Sequence, residues 1–269
     1  MTPEATGTIL DKIVAARRAA VEHRKRVLPQ VALRMAVERG TPQPVRDFRA
    51  ALAEPGVSVI AEIKRASPSR GLLRQGYSPD WLAQRLELSG ASAISVLTEP
   101  EFFQGELDHV RLARGVTSVP LLRKDFLFDP WQIWEARAGG ADSFLLIAAI
   151  LDDALLTELL SLGRTLGMEP LVEVHNGAEL DRVLTAGATI VGVNNRDLRT
   201  FEVRLETSLD LIEAIPDACV AVTESGLHSR ADIGRLAAAG FDAFLVGEHL
   251  MTAEDPGAAL RELLANDGD

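Results

Sequence analysis

One unit repeats along most of this chain: a short apolar strand, a loop, an amphipathic helix, and usually a glycine just ahead of the next strand. The junction recurs at Ser89-Gly90-Ala91, Ala138-Gly139-Gly140-Ala141, Ala186-Gly187-Ala188 and Ala239-Gly240-Phe241, which fits C-capping glycines before buried strands. Strands are predicted at 58–64, 91–98, 119–125, 142–149, 170–175, 189–194, 218–223 and 243–247. The first is a β-branched run that suits a strand covered on both faces. Helices are predicted between them, for example at 79–89, 130–138, 152–166, 178–186 and 229–239. Alternating strands and helices imply right-handed parallel crossovers, and eight such units in 269 residues point to a closed α/β barrel, the (β/α)8 or TIM barrel. A doubly wound open sheet is the alternative, but no G-x-G-x-x-G follows the first strand.

Ahead of the first strand, Ile9, Leu10, Ile13, Val14 and Val21 fall at helical spacing and Thr8 can cap the start. Pro29 opens a second helix to about Arg39, which Gly40-Thr41-Pro42-Gln43-Pro44 ends. Residues 1–269 are therefore read as one barrel domain, with residues 1–50 as an N-terminal two-helix extension. The basic cluster Arg17, Arg18, Arg24, Lys25 and Arg26 reads as a solvated helix face. A net charge of -11 argues against general affinity for nucleic acid or acidic membranes. No apolar run approaches the ~20 residues of a membrane span. Glu4 and Asp11 occupy the place of a signal peptide's basic region, so a cytoplasmic protein is expected. The single cysteine, Cys219, excludes an internal disulfide and, within an apolar run, reads as a packed core thiol.

In such a barrel, chemistry belongs at the C-terminal strand ends. There the first strand carries Glu62 and Lys64, which share a face at i and i+2. Alone, that pair reads as a salt bridge at the rim of a sheet. The design recurs, however, with Lys124 and Asp125 on the third strand, Glu173 and His175 on the fifth, and Asn194-Asn195-Arg196-Asp197 on the sixth. The seventh ends in Glu224-Ser225-Gly226 and the eighth in Gly247-Glu248. Lys64, Lys124 and Glu173 each interrupt an otherwise apolar strand, and together they mark a site. The glycines after the last two strands let backbone amides approach a ligand, in the loops where such barrels usually hold phosphate. Ser67-Pro68-Ser69 is read as a loop of hydroxyls and amides after the first strand.

The motifs A-E-I-K-R-A-S-P-S, S-V-L-T-E, F-F-Q-G, L-L-R-K-D-F, L-V-E-V-H, G-V-N-N-R-D-L, T-E-S-G and F-L-V-G-E-H-L-M resemble those of the indole-3-glycerol phosphate synthase family over nearly the whole chain. The two N-terminal helices are similar to that family's extension, which helps cover the substrate. The resemblance implies closure of 1-(2-carboxyphenylamino)-1-deoxyribulose 5-phosphate to the indole, with loss of carbon dioxide and water. It implies no metal or organic cofactor and no obligate protein partner. It makes Lys124 the acid at the ribulose carbonyl, sets Lys64 against the substrate carboxylate with Glu62 orienting it, leaves open whether Lys64 exchanges acid roles with Lys124 in the later dehydration, and makes Glu173 the base. Asn194 and Arg196 would hold the ribulose hydroxyls and neighbouring carboxylates. Phe103, Phe126, Leu145 and Ile147 match the apolar wall around the anthranilate ring, and Ser67, Ser225, Gly226, Gly247 and Glu248 fall around the phosphate. Some members carry serine where this chain has Glu248, so its backbone amide, rather than its carboxylate, is expected to face the ligand.

Three rivals are weighed. A phosphoribosylanthranilate isomerase would want a cysteine and an aspartate as its acid and base, yet the only cysteine falls within the seventh strand. A tryptophan synthase α subunit relies on carboxylates without strand lysines of this kind. A catalytically silent phosphate-binding barrel would tolerate loss of Lys124.

Overall fold

Eight parallel strands close on themselves, each paired with its neighbours in sequence and the last paired back to the first. They are β1 (Ser58–Ile63), β2 (Ala93–Leu97), β3 (Leu121–Lys124), β4 (Ser143–Ile147), β5 (Leu171–Val174), β6 (Ile190–Asn194), β7 (Val220–Glu224) and β8 (Ala243–Val246). The computed structural model describes residues 8–40, 43–197 and 199–265; of the positions named above, Glu4, Thr41, Pro42 and Leu198 lie outside them. Every strand residue is buried except Lys124, which is half-buried at its strand's end. That burial on both faces is why the strands read as continuous apolar runs.

The helices are α1 (Ile9–Val27), α2 (Gln30–Glu38), α3 (Phe48–Leu52), α4 (Pro79–Glu87), α5 (Leu107–Arg114), α6 (Pro130–Ala138), α7 (Asp153–Thr165), α8 (Gly177–Thr185), α9 (Glu206–Leu211), α10 (Arg230–Ala239), α11 (Glu248–Thr252) and α12 (Pro256–Leu264). Their starts are written in the sequence: the side chains of Asp129, Asp152, Asn176 and Ser229 each accept a backbone N–H of the first turn. Among the described residues, no helix is long and apolar enough to cross a membrane.

Three local expectations are corrected. Ser67-Pro68-Ser69 is not an open loop, because Ala66–Ser67 pairs antiparallel with Gly71–Leu72 in a small hairpin. The fourth strand stops at Ile147, where the chain tightens into a 3-10 turn over Ala148–Ile150. Cys219 precedes β7 instead of lying inside it, and is only half-buried, its thiol 3.5 Å from the Ala188 carbonyl.

The largest correction concerns the basic face of α1, which is in part a docking surface, although Arg18, Arg24 and Arg26 stay exposed as expected. Arg17 is 5% exposed and its guanidinium lies 2.7 Å from Asp125 Oδ2. Asp125 also accepts from Thr98 Oγ1 at 2.7 Å and from Arg123 Nη2 at 3.1 Å. Arg123 pairs onward to Glu135 at 2.8 Å, and Glu135 to Arg24 at 2.6 Å, which returns the chain of charges to α1. Arg18 stacks 4.5 Å over Phe128, Lys25 pairs with Asp129 at 2.7 Å, and Trp131 Nε1 donates to the Leu28 carbonyl. A helix wheel cannot show this, since its partners lie about a hundred residues away, in the loop after β3 and on α6. The extension is thereby attached to the strand that carries Lys124.

Candidate active site

The C-terminal strand ends surround an open cavity of about 920 Å³, counting the open solvent at its mouth. Parallel register brings polar residues level there: Lys124 stands opposite Leu97, Glu173 opposite Ile147 and Gly192, and Asn194 opposite Glu224. Lys124 Nζ reaches Glu224 Oε2 at 2.7 Å and Glu173 Oε2 at 3.1 Å. Glu224 has room to do so because its side chain lies against Gly192 of β6, where a Cβ would collide with Glu224 Oε1. On β1, Lys64 Nζ meets Glu62 Oε1 at 2.6 Å. A Cβ at Gly247 would collide with that carboxylate, so the glycine after β8 makes space for the Glu62–Lys64 pair.

Two carboxylates on one ammonium define the electrostatics. Burial works against the Lys124 ammonium, but Glu224, Glu173 and Glu62 outweigh it and hold the lysine above its ordinary pKa. Burial pushes the Glu224 carboxyl up to about 7 against the pull of Lys124, with Glu173 and Glu62 adding repulsion. Glu173 stays below its ordinary value: burial opposes this, and Lys124, His175 and a hydrogen bond from Asn194 overcome it. The centre therefore holds a charged acid, an ionised base, and one carboxyl able to carry a proton near neutrality.

All the expected site residues line this cavity except Ser67, which is buried in the hairpin with its hydroxyl 3.4 Å from that of Ser69. Phe103 and Phe126 face each other with ring centroids 6.2 Å apart, and Leu145 and Ile147 continue this apolar side. Asn194 Oδ1 accepts from the Arg196 N–H at 3.0 Å and from Ser225 Oγ at 2.9 Å. Ser225 has φ 69° and Gly226 φ 80°, so two successive left-handed residues turn the backbone at the mouth. The Glu248 carboxylate is held by Arg70 at 2.9 Å and by Arg196 at 3.3 Å.

Three contributors were not assigned roles from sequence. Glu224 was visible as a charge at a strand end, but only the fold carries it across β6 to Lys124. Asp125 lines the cavity and is the anchor of Arg17. Glu99, fully buried, accepts the N–H groups of Glu101, Phe102 and Phe103 at 2.7–3.0 Å and so shapes the turn that presents Phe103. Its signal was an acid before a proline in S-V-L-T-E-P, a pattern shared by many ordinary turns.

Comparison with known proteins gives one family. The family model "Indole-3-glycerol phosphate synthase" matches residues 10–263. The chain is 48% identical over 261 residues to the indole-3-glycerol phosphate synthase of Albidiferax ferrireducens, covering 96% of this chain and 98% of that protein. It is 45% identical over 259 residues to the enzyme of the same name from Burkholderia vietnamiensis, covering 95% and 98%. Among solved structures, 3-hexulose-6-phosphate synthase from Salmonella typhimurium superposes with a TM-score of 0.61 at 12% identity, over 77% of this chain and 96% of that one. Thiamine phosphate pyrophosphorylase from Pyrococcus furiosus does so at 0.58 and 18%, over 79% and 95%. At those identities the likeness carries the barrel alone.

Proposed function

The chain belongs to the indole-3-glycerol phosphate synthase family, and from that premise we propose how its own residues divide the reaction. The enzyme is a carboxy-lyase of tryptophan biosynthesis: it closes the ring of 1-(2-carboxyphenylamino)-1-deoxyribulose 5-phosphate, expels carbon dioxide, and dehydrates the product to the indole. Residues 1–50 act as an extension of one barrel domain, held on the strand of the acid.

The placement of Lys124 between two buried carboxylates carries this reading. Its ammonium protonates the ribulose carbonyl oxygen while the aryl carbon attacks, and the dry, apolar side of the cavity strengthens that interaction. Lys64, oriented by Glu62, receives the substrate carboxylate and so sets the aryl ring between Phe103, Phe126, Leu145 and Ile147. After decarboxylation, a second proton converts the hydroxyl to a leaving water, and Glu173 removes the neighbouring carbon's proton. Asn194 and Arg196 hold the hydroxyl-bearing chain. The phosphate sits on the amides of Gly226 and Gly247 with Ser225 beside them, and Ser67 closes over it from the hairpin. Glu248 contributes its amide, because its carboxylate is already neutralised by Arg70 and Arg196.

Two rivals fare poorly on geometry. Cys219 lies just ahead of β7, at the opposite end from the cavity, so it supplies no acid for an isomerase. A silent binding barrel would have no use for a charged lysine buried against an ionised base. The test is to mix purified protein with the anilino-deoxyribulose phosphate and follow indole fluorescence: a rise is expected from the parent protein, and its absence would contradict the reading.

A further inference from the structure

The reaction does not conserve protons within the site. The substrate carboxylate enters ionised and leaves as carbon dioxide, returning its electron pair to the ring. Two protons are placed on one oxygen, which departs as water, and one is taken from carbon as the ring becomes aromatic. Each turnover therefore consumes one proton, and both donations to oxygen happen while substrate covers Lys124.

Behind Glu173 stands a group suited to supply it. His175 Nε2 lies 3.4 Å from Glu173 Oε1, while its Nδ1 meets Glu179 Oε2 at 3.2 Å. Glu179 also accepts the His175 backbone N–H and the Asn176 side-chain amide, both at 2.8 Å, so it is held as an anchor for the ring. Among the described residues Nε2 is buried without a hydrogen-bond partner, and 3.4 Å from it lies Oε1 of Glu173, the oxygen that does not meet Lys124. The side chain as a whole keeps 15% exposure, whereas Glu173 keeps 3% and Glu224 2%.

We propose that His175 is the proton store of this site, handing its Nε2 proton through Glu173 to Lys124 between the two donations. The proposal rests on the assignment of Glu173 and Lys124 given above. In sequence, Lys124 gives its proton to the carbonyl oxygen; His175 protonates Glu173 Oε1; the carboxyl group turns about its terminal bond, and Glu173 passes that same proton to the neutral lysine. The recharged lysine then protonates the departing hydroxyl, and Glu173 takes the carbon's proton and returns it to Lys124. His175 is left neutral and regains one proton from solvent, which balances the turnover. The imidazole is surrounded by acids: Glu173 on β5, Glu179 on α8, Glu224 on β7 and Asp197 in the loop after β6. Burial opposes its charged form, and the Glu179 hydrogen bond with these carboxylates raises it above its ordinary value. Glu224 has no comparable contact with solvent, its side chain keeping 2% exposure.

The experiment is a single turnover with enzyme in excess, read by indole fluorescence across neutral and alkaline pH. The parent rate should fall as pH rises through the titration of His175. His175→Gln keeps an amide donor beside Glu173 without a transferable proton; it should slow the turnover about tenfold or more and abolish that alkaline limb, with substrate affinity unchanged. A His175→Gln protein at the parent rate overturns the proposal, and so does a slow one that keeps the limb, since His175 would then only hold Glu173 in place. If that variant fails to fold, Glu179→Gln, which removes the anchoring charge, should move the limb to lower pH; an unmoved limb overturns the proposal. Full activity in Glu173→Gln would instead remove the underlying assignment.

Discussion

Lys124 and Glu224, a hundred residues apart in sequence, meet at 2.7 Å across the mouth of the barrel. Each is the last residue of its strand, and Gly192 leaves the Glu224 side chain a path. The contact sets two opposing protonation demands within one buried space, and most of the expected behaviour follows from it.

Glu224 should make the folded state pH-sensitive. Its folded pKa of about 7 lies above the ordinary carboxylate value of 4.5, so the native state binds the extra proton in that window. Its contribution to stability is therefore most favourable below the unfolded value and is lost as pH rises through the folded one. Glu224→Gln removes the titration. Denaturant unfolding of parent and variant should show the parent losing ground as pH rises from about 4.5 to 7, and parallel curves would contradict this.

Arg17→Met tests the attachment of α1. Removing one partner of a buried ion pair leaves Asp125 short of a cation, a loss of about 3 kcal/mol in unfolding free energy. Asp125 lies directly after Lys124, so turnover should fall as well. Unchanged stability would mean that the basic face of α1 is as dispensable as the sequence alone made it look.

Glu248→Ser should leave substrate affinity within about threefold of the parent, because the account uses only the residue's amide. Titration of the phosphorylated substrate reads this directly. A tenfold weakening would show that the carboxylate is needed to hold Arg196 in place.

The barrel was legible because its cause is local: buried parallel strands need apolar runs, and crossover helices need caps and glycine stops. The positions of Lys64, Lys124 and Glu173 were legible for the same reason, since a charge inside such a run breaks the pattern. What stayed hidden was pairing over distance. The sequence holds an acid at Glu224 and a glycine at Gly192, and nothing in either predicts that one crosses the other. Arg17 likewise looks like any other basic residue on a helix until the fold brings Asp125 to it. Ser67 was placed by motif alone, and the hairpin that buries it arises from two short pairings too brief to mark the sequence.

Lys64→Met should impair binding together with turnover, since the proposed mechanism sets Lys64 against a carboxylate already present in the substrate. Rate and dissociation constant measured on one preparation separate the two. A pure loss of rate would place Lys64 among the acids instead.

In the proposed mechanism Lys124 acts on charge that develops during ring closure. Lys124→Met keeps most of the stem's apolar bulk and removes the ammonium. Measured by indole fluorescence with a parallel binding titration, turnover should fall about a hundredfold or more while affinity changes by less than about tenfold. A Lys124→Met protein that turns over near the parent rate would contradict the account.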